Sequence, residues 1–311
     1  MVVYDRSYAR WDGDRTGGGP VAAVIMEAGI RRAGARLFKR KFIAVLLVMY
    51  AFGAFLVWLG MLYARYYVLM NAEELAGQIP GDAITFFRDG ELTSIIAVTG
   101  GNLFTFLVSF QLPVVAILLV MVGAGLVAED RRTNALELYL SRPLGVGQYL
   151  VGKVGIMAFF VALVTLVPAL VLVLADAILS LDPVVDWAGS ARLGARALGA
   201  GAIVVLVPSL LVVAVSSLTR RGRNAAIALL GLLFLLEVVI AQGLQEIFRQ
   251  PGFLLFSPVY NLRQAVAWML SATDAIDSDV PVWQSFAVLG GLALISLSIT
   301  LRRVRPVEVV A

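Results

Sequence analysis

Of the side chains that carry most biological chemistry, this 311-residue chain has no histidine and no cysteine. Thiol nucleophiles, disulfides, Cys or His zinc sites, haem and iron–sulfur ligation and an imidazole base are thereby excluded. The groups that remain are an acidic pair, Glu129–Asp130, followed by Arg131; Glu137 and Arg142 a few residues on; Lys153; and Glu237, set in an otherwise apolar run. The octet Gly147 to Val154, GQYLVGKV, nearly spells the phosphate loop G-x-x-x-x-G-K-[ST]. Val154 has no hydroxyl for magnesium, however, and no strand precedes the loop. The expectation is a chain that binds no metal or cofactor and hydrolyses no ATP itself.

The elements that position these groups follow from composition. Hydrophobic residues make up 60% and charged residues 15%, with a mean hydropathy of +0.90. Soluble domains are about 45–50% apolar and about 25% charged, so this chain has too little polar surface to cover itself in water. A hydrocarbon slab about 30 Å thick needs about 20 apolar residues per helix. Six runs qualify, at about 42–64, 105–128, 154–176, 197–219, 224–245 and 281–301. They are continuously apolar rather than alternating, which selects helices over barrel strands. The predicted fold is an all-α polytopic membrane protein with a 42–301 six-span domain.

Lysine and arginine orient it. One side collects 19 of the 25: nine from the amino-terminal segment, four between spans two and three, three between spans four and five, and three after span six. Both termini are therefore expected in the cytoplasm, and the basic pI is a membrane-flank signal rather than a nucleic-acid signal. Residues 1–20 are polar and glycine-rich and read as a disordered tail, and 302–311 as a short cytoplasmic one. Residues 21–41 place Val21, Val24, Ile25, Ile30 and Leu37 among basic residues at near-helical spacing. That suits an amphipathic helix lying in the inner interface, the simpler reading being a charged flank that orients span one. Beyond span five, PGFLLFSPVYNL and QAVAWMLSAT are too short to cross and read as re-entrant or interfacial helices, with Trp268 and Trp283 as interface anchors.

The loop between spans two and three, AEDRRTNALELYLSRPLGVGQYLVGK, is too long for a turn and too patterned for a linker. Asn134 with Glu137 has the spacing of a capping box. Leu136, Leu138 and Leu140 give a short apolar side, Pro143 breaks that helix, and Ser141 can cap the next. A stiff knuckle on the cytoplasmic side results.

The string from Glu129 to Pro143, with Gly152–Lys153 beyond it, resembles the signature of ABC-2 type permeases of ATP-binding-cassette transporters, including the branch with the nitrous oxide reductase maturation permease. In that family an acidic pair ends the second span, a leucine-rich stretch ending in Ser-Arg-Pro forms a coupling helix, and Gly-Lys opens the third span. Glu129, Asp130, Glu137, Leu140, Ser141, Arg142, Pro143, Gly152 and Lys153 occupy the matching places, while Asn134 stands where a small residue is usual. The basic amphipathic start and Ser257, Pro258 and Asn261 before span six are also similar to the family. The resemblance implies a permease paired with a second copy or homologue, in the cytoplasmic membrane of a prokaryote. It also implies two cytosolic ATPase subunits that hold ATP and Mg and dock on the knuckle. Leu136, Tyr139 and Leu140 would supply apolar docking, and Arg131, Glu137 and Arg142 would set register by charge.

Glu237 lies about 20 Å from the inner boundary by helix rise. An ionised acid there faces a partner or a wet cavity, which leaves two roles: lining a substrate path or gate, or, protonated or paired with arginine, steadying helix packing. A gradient-driven transporter using Glu237 is the alternative to the ATP-driven exporter. A membrane hydrolase lacks its tools. An apolar path with one acid suits an amphipathic or lipid-like substrate. Pro113, Pro168 and Pro208 fall within spans and bend or hinge them; the pairs Gly123/Gly125 and Gly290/Gly291 permit close helix approach.

The missing cysteines make the orientation directly testable. A single cysteine at Gln250 should react with a membrane-impermeant maleimide on intact cells, and one at Ser7 only after permeabilisation; the reverse pattern would invert the topology.

Overall fold

The computed structural model describes residues 21–39, 41–70, 100–135, 145–179, 187–272 and 280–304. The expected tail at 1–20, residues 305–311 of the expected 302–311 tail, and the polar part of the first outer segment fall outside these residues; Arg302 and Arg303 belong to the last helix. The described chain is helical, in the order α1 (Val21–Lys39), α2 (Lys41–Met70), α3 (Gly100–Leu118), α4 (Ala128–Arg132), α5 (Val146–Val164), α6 (Leu166–Leu179), α7 (Trp187–Leu218), α8 (Gly222–Phe234), α9 (Gln245–Phe248), α10 (Pro258–Met269) and α11 (Val282–Arg303). Six helical stretches are long and apolar enough to cross a membrane: Val45–Tyr63, Leu107–Arg132, Val146–Ala175, Ala191–Leu218, Gly222–Phe248 and Val282–Arg303. Spans three and four begin well before the apolar runs at 154 and 197, at Val146 and Ala191. Hydropathy marks the hydrocarbon slab, whereas a helix continues wherever its flanks find packing.

The fourth span is the hub. Two-thirds of its apolar window is buried, against 17% for the first, fifth and sixth spans. Two buried clusters lie along it. One gathers Tyr149, Met157, Leu119, Val127 and Val212 near the arginine-rich ends. The other gathers Leu107, Leu172, Val204, Leu262 and Ala265 near the opposite ends. The little-buried first span is tied to the second by polar contacts: Tyr50 donates to the Phe110 carbonyl at 3.0 Å, its ring stacks on Phe110, and Gln111 donates to the Ala51 carbonyl.

Helix α1 forms as expected and packs on α5. Of the expected stripe, Ile25, Ile30 and Leu37 pack against the core with Met26, whereas Val21 and Val24 are exposed and Ala33 is buried. Small residues allow the approach; a Cβ on Gly152 would stand 2.8 Å from Ile25. Three consecutive turns of α1 thus settle into α5, and the valines at its start are left outside that crossing.

Span three is interrupted at Thr165, between α5 and α6. Pro168 lies three residues on, where it can offer no amide to the Val164 carbonyl, so the break has a local cause. Thr165 turns its hydroxyl back to the Val161 carbonyl at 2.8 Å. Pro113 and Pro208 instead lie inside continuous helices. The larger interruption of span two comes beyond Pro113, where the chain widens into a π-helical stretch, Leu119–Gly123, and then a turn at 124–127 before α4. Gly123 is required here, since a Cβ would come within 2.5 Å of Val212. Gly290 and Gly291 meet nothing within 4 Å, so they permit no close approach within this chain.

Two glycine substitutions separate these roles. Gly123→Leu should lower stability by about 1–3 kcal/mol through overpacking. Gly290→Ala should be neutral or gain about 0.5 kcal/mol from helix propensity. Thermal midpoints of the detergent-purified monomer measure both.

Candidate functional site

A break in a membrane helix frees backbone groups that lipid cannot satisfy. At the span-two break one side chain supplies them. The Ser216 hydroxyl, from the buried end of α7, accepts from the Val127 and Ala128 amides at 3.0 Å each and donates to the Ala124 carbonyl at 2.8 Å. The backbone also recloses on itself, with Ala124 N–H to the Leu119 carbonyl and Leu126 N–H to the Gly123 carbonyl. These bonds hold the break as a fixed corner ahead of α4.

Those residues are the acidic pair and its arginine, each tied to a different helix. Glu129 accepts an ion pair from Arg36 of α1 at 2.9 Å, both side chains about half exposed. Asp130 takes two donors from one face of α5: Lys153 Nζ at 2.6 Å and Tyr149 Oη at 2.7 Å. The Lys153 and Asp130 side chains are only 11% and 15% exposed, and Tyr149 is fully buried. Tyr149 and Lys153 are one helical turn apart, which puts both on the same face; the ammonium also lies 5.4 Å from the tyrosine ring centroid. Arg131 donates to the Ser217 carbonyl of α7, with Arg220 and Arg303 near enough to act on its charge. The arginine-rich ends of spans two, four and six therefore gather at one end of the bundle.

The rest of the sequence-read knuckle, Leu136, Glu137, Tyr139, Leu140, Ser141, Arg142 and Pro143, lies outside the described residues. Its two roots are described. Asn134 has φ 53°, a left-handed conformation that closes the helix before it, and the residues it would cap, from Leu136 on, lie outside the described ones. The far root is Gly145, extended, which leads into α5. The Asp130–Lys153 pair joins the helices on either side of the segment just inside these roots.

The near-phosphate motif is resolved by the same geometry. From Tyr149 onward its amides bond within α5, so they cannot wrap around a phosphate as a loop does. Lys153 is held by Asp130 instead. Among the described residues no group of three or more carboxylates is placed to hold a metal.

A second polar seam runs through the segment before span six. PGFLLF forms a 3-10 turn, Pro251–Phe256, and α10 packs against α3, α7 and α11. Ser257 caps α10 by accepting from the Tyr260 amide, with Pro258 at the first helical position. Its hydroxyl donates at 2.5 Å to Glu237, which lies in a π-helical stretch, Leu235–Leu244, of span five. Glu237 is thus bonded to a serine, and among the described residues no arginine pairs with it. Asn261 donates to the Leu255 and Ser257 carbonyls at 2.7 Å. Gln264 donates to the Val280 carbonyl at 2.6 Å and accepts from Ser285 of α11. Trp268 and Trp283 are exposed, and Trp268 meets Phe286 edge-on.

Sequence reasoning missed Tyr149, Ser216 and Arg36. The i, i+4 spacing of Tyr149 and Lys153 was a usable signal; nothing in the sequence marks Ser216 apart from its neighbour Ser217.

Breaking the Asp130–Lys153 pair tests the junction. Asp130→Asn or Lys153→Met alone should each cost about 3 kcal/mol by stranding a buried partner. The double variant Asp130→Leu/Lys153→Met should recover most of that loss. Thermal unfolding in detergent reads this; fully additive losses would show that the two groups are not coupled.

No curated protein matches the chain. The family model described as ABC-2 family transporter protein matches residues 33–305, which spans α1 from Ala33 through the end of α11. With six apolar spans and this match over most of its length, the chain belongs to the ABC-2 transporter family, as a multi-pass membrane permease component of an ABC transporter.

Proposed function

We propose that this chain is the transmembrane half of an exporter that works as a pair of permeases, driven by two cytosolic ATPase subunits that hold ATP and Mg. The observation that carries the reading is the junction at Glu129–Asp130–Arg131, where three successive side chains fasten the root of the 136–144 segment to α1, α5 and α7. A root gripped this way does not swing freely against α1, α5 and α7. Displacement at Leu136 to Pro143 passes into spans two, three and four together, which is what a lever between an ATPase and a membrane path requires.

On this reading ATPase closure tips the junction, and the fixed corner at Ser216 carries the motion along α7. Glu237 then belongs to a gate at the opposite end, because its bond to Ser257 holds α10 against span five. The permease itself contributes shape and motion, the ATPases the free energy. The proposed home is the cytoplasmic membrane of a prokaryote, with outward transport of an amphipathic or lipid-like molecule.

Gentle purification of the tagged permease from its native membrane, with copurifying proteins identified by mass, tests this reading. An ATPase subunit at one copy per permease is expected, and Glu137→Lys or Arg142→Glu should reduce its recovery at least tenfold while the permease stays folded. Permease without ATPase after crosslinking, together with gradient-driven uptake into ATPase-free liposomes that Glu237→Gln abolishes, would replace this reading with a secondary transporter.

A further inference from the structure

Beside the junction, at the arginine-rich end, lies an open cavity of about 940 Å³ between α1, the end of span two and the start of α8. Five cations line it: Arg36, Lys39, Arg132, Arg221 and Arg223. The sole acid in its lining is Glu129, already paired with Arg36. Among the described residues no ion pair engages the other four. The floor has the opposite character, being built from Leu37, Val120, Met121, Ala124 and Ala226.

The geometry points to a binding site for an anionic phospholipid of the adjoining leaflet, its phosphate among Arg221, Arg223, Arg132 and Lys39 and its glycerol end on the apolar floor. Three features select this occupant. Cations clustered beside the membrane attract anionic headgroups, and basic pockets between membrane helices hold them. Arg221 is also the N-cap of α8, a 13-residue helix with no side-chain cap, so the positive end of its dipole faces the cavity through Gly222 and Arg223. A small soluble anion would leave the apolar floor wet, whereas a lipid covers it. Leu37, moreover, is a wall shared with a second cavity of about 600 Å³ on the other side of α1, lined almost wholly by apolar side chains of α1, α2, α3, α5 and α6. Lipid chains thus have apolar space on both flanks of the helix that carries Arg36 and Lys39.

Close packing fixes the back of the site. Gly222 approaches Gly125 so nearly that a Cβ on Gly222 would lie 3.2 Å from the Gly125 Cα, which holds the first turn of α8 against the corner of span two. A headgroup seated there touches α1, span two and span five at once, and its presence would brace the same junction that holds the 136–144 segment.

The test is native mass spectrometry of the full-length permease in detergent, titrated with dioleoylphosphatidylglycerol and, separately, with dioleoylphosphatidylcholine. The expected result is one phosphatidylglycerol retained per chain, with phosphatidylcholine retained at least tenfold less. Arg221→Gln/Arg223→Gln should lower phosphatidylglycerol retention about tenfold or more, while Arg32→Gln/Arg302→Gln, equal in charge but outside the cavity, should leave it unchanged. Equal loss in both double variants would show diffuse surface attraction and overturn the site. Displacement of the lipid by millimolar inorganic phosphate would reassign the cavity to a soluble anion. If the arginine variant does not fold, Ala226→Phe, which fills the floor without changing charge, should reduce retention, and unchanged retention would overturn the proposal. None of these readings requires ATPase or transport, so their failure leaves the permease reading standing.

Discussion

In hydrocarbon, an amide released from its helix must be bonded inside the protein or not be released at all. The break in span two obeys this through a single hydroxyl, and the placement of the family's acidic pair follows from it. Glu129, Asp130 and Arg131 lie in α4, the short helix that follows the break, and project at about 100° intervals around its axis, so each meets a different neighbour. The π stretch, the turn and Ser216 set the place from which they reach α1, α5 and α7. The tight contact of Gly123 with Val212 belongs to the same device, because the corner can be served by Ser216 only if spans two and four lie close together; Gly125 with Gly222 brings the start of span five against the same corner.

The charges at this corner are unequal in what they contribute. Glu129 and Arg36 are half exposed, and such a pair adds little to stability. Asp130 and Lys153 are nearly buried, with Tyr149 supplying a further donor, and here desolvation makes the arrangement conditional: it holds while all three are present and becomes costly when one is lost. A buried pair of this kind is a poor device for raw stability and a good one for fixing a single geometry. That property matters where a short segment leaves the bundle and must point one way.

Much of this was legible in the sequence. Six spans, their helical character and the loop that carries the family's signature all follow from charge spacing and apolar run length, because the membrane imposes both. What stayed hidden depends on partners rather than on periodicity. Hydropathy records that Tyr149 and Ser216 lie in apolar surroundings but not that one clasps Asp130 and the other bonds a broken backbone. Pro113 and Pro168 look alike in sequence, yet span three breaks beside its proline and span two breaks beyond its own, where the π stretch and glycines decide. Val21 and Val24 fit an apolar stripe by spacing, but the crossing with α5 is set by Gly152 and rotates them outward. Glu237 could be read only as an acid in need of a partner; its serine is 20 residues away and comes near because α10 folds back into the bundle.

The packing of α10 also ties it to the last span. Gln264 is buried, and it bonds the Val280 carbonyl just ahead of α11 and the Ser285 hydroxyl within it. A chain cut before Val280 would lose both of these bonds to a buried amide, a costly loss in an apolar interior. The last span thus serves α10 as a polar clasp as well as crossing the membrane itself.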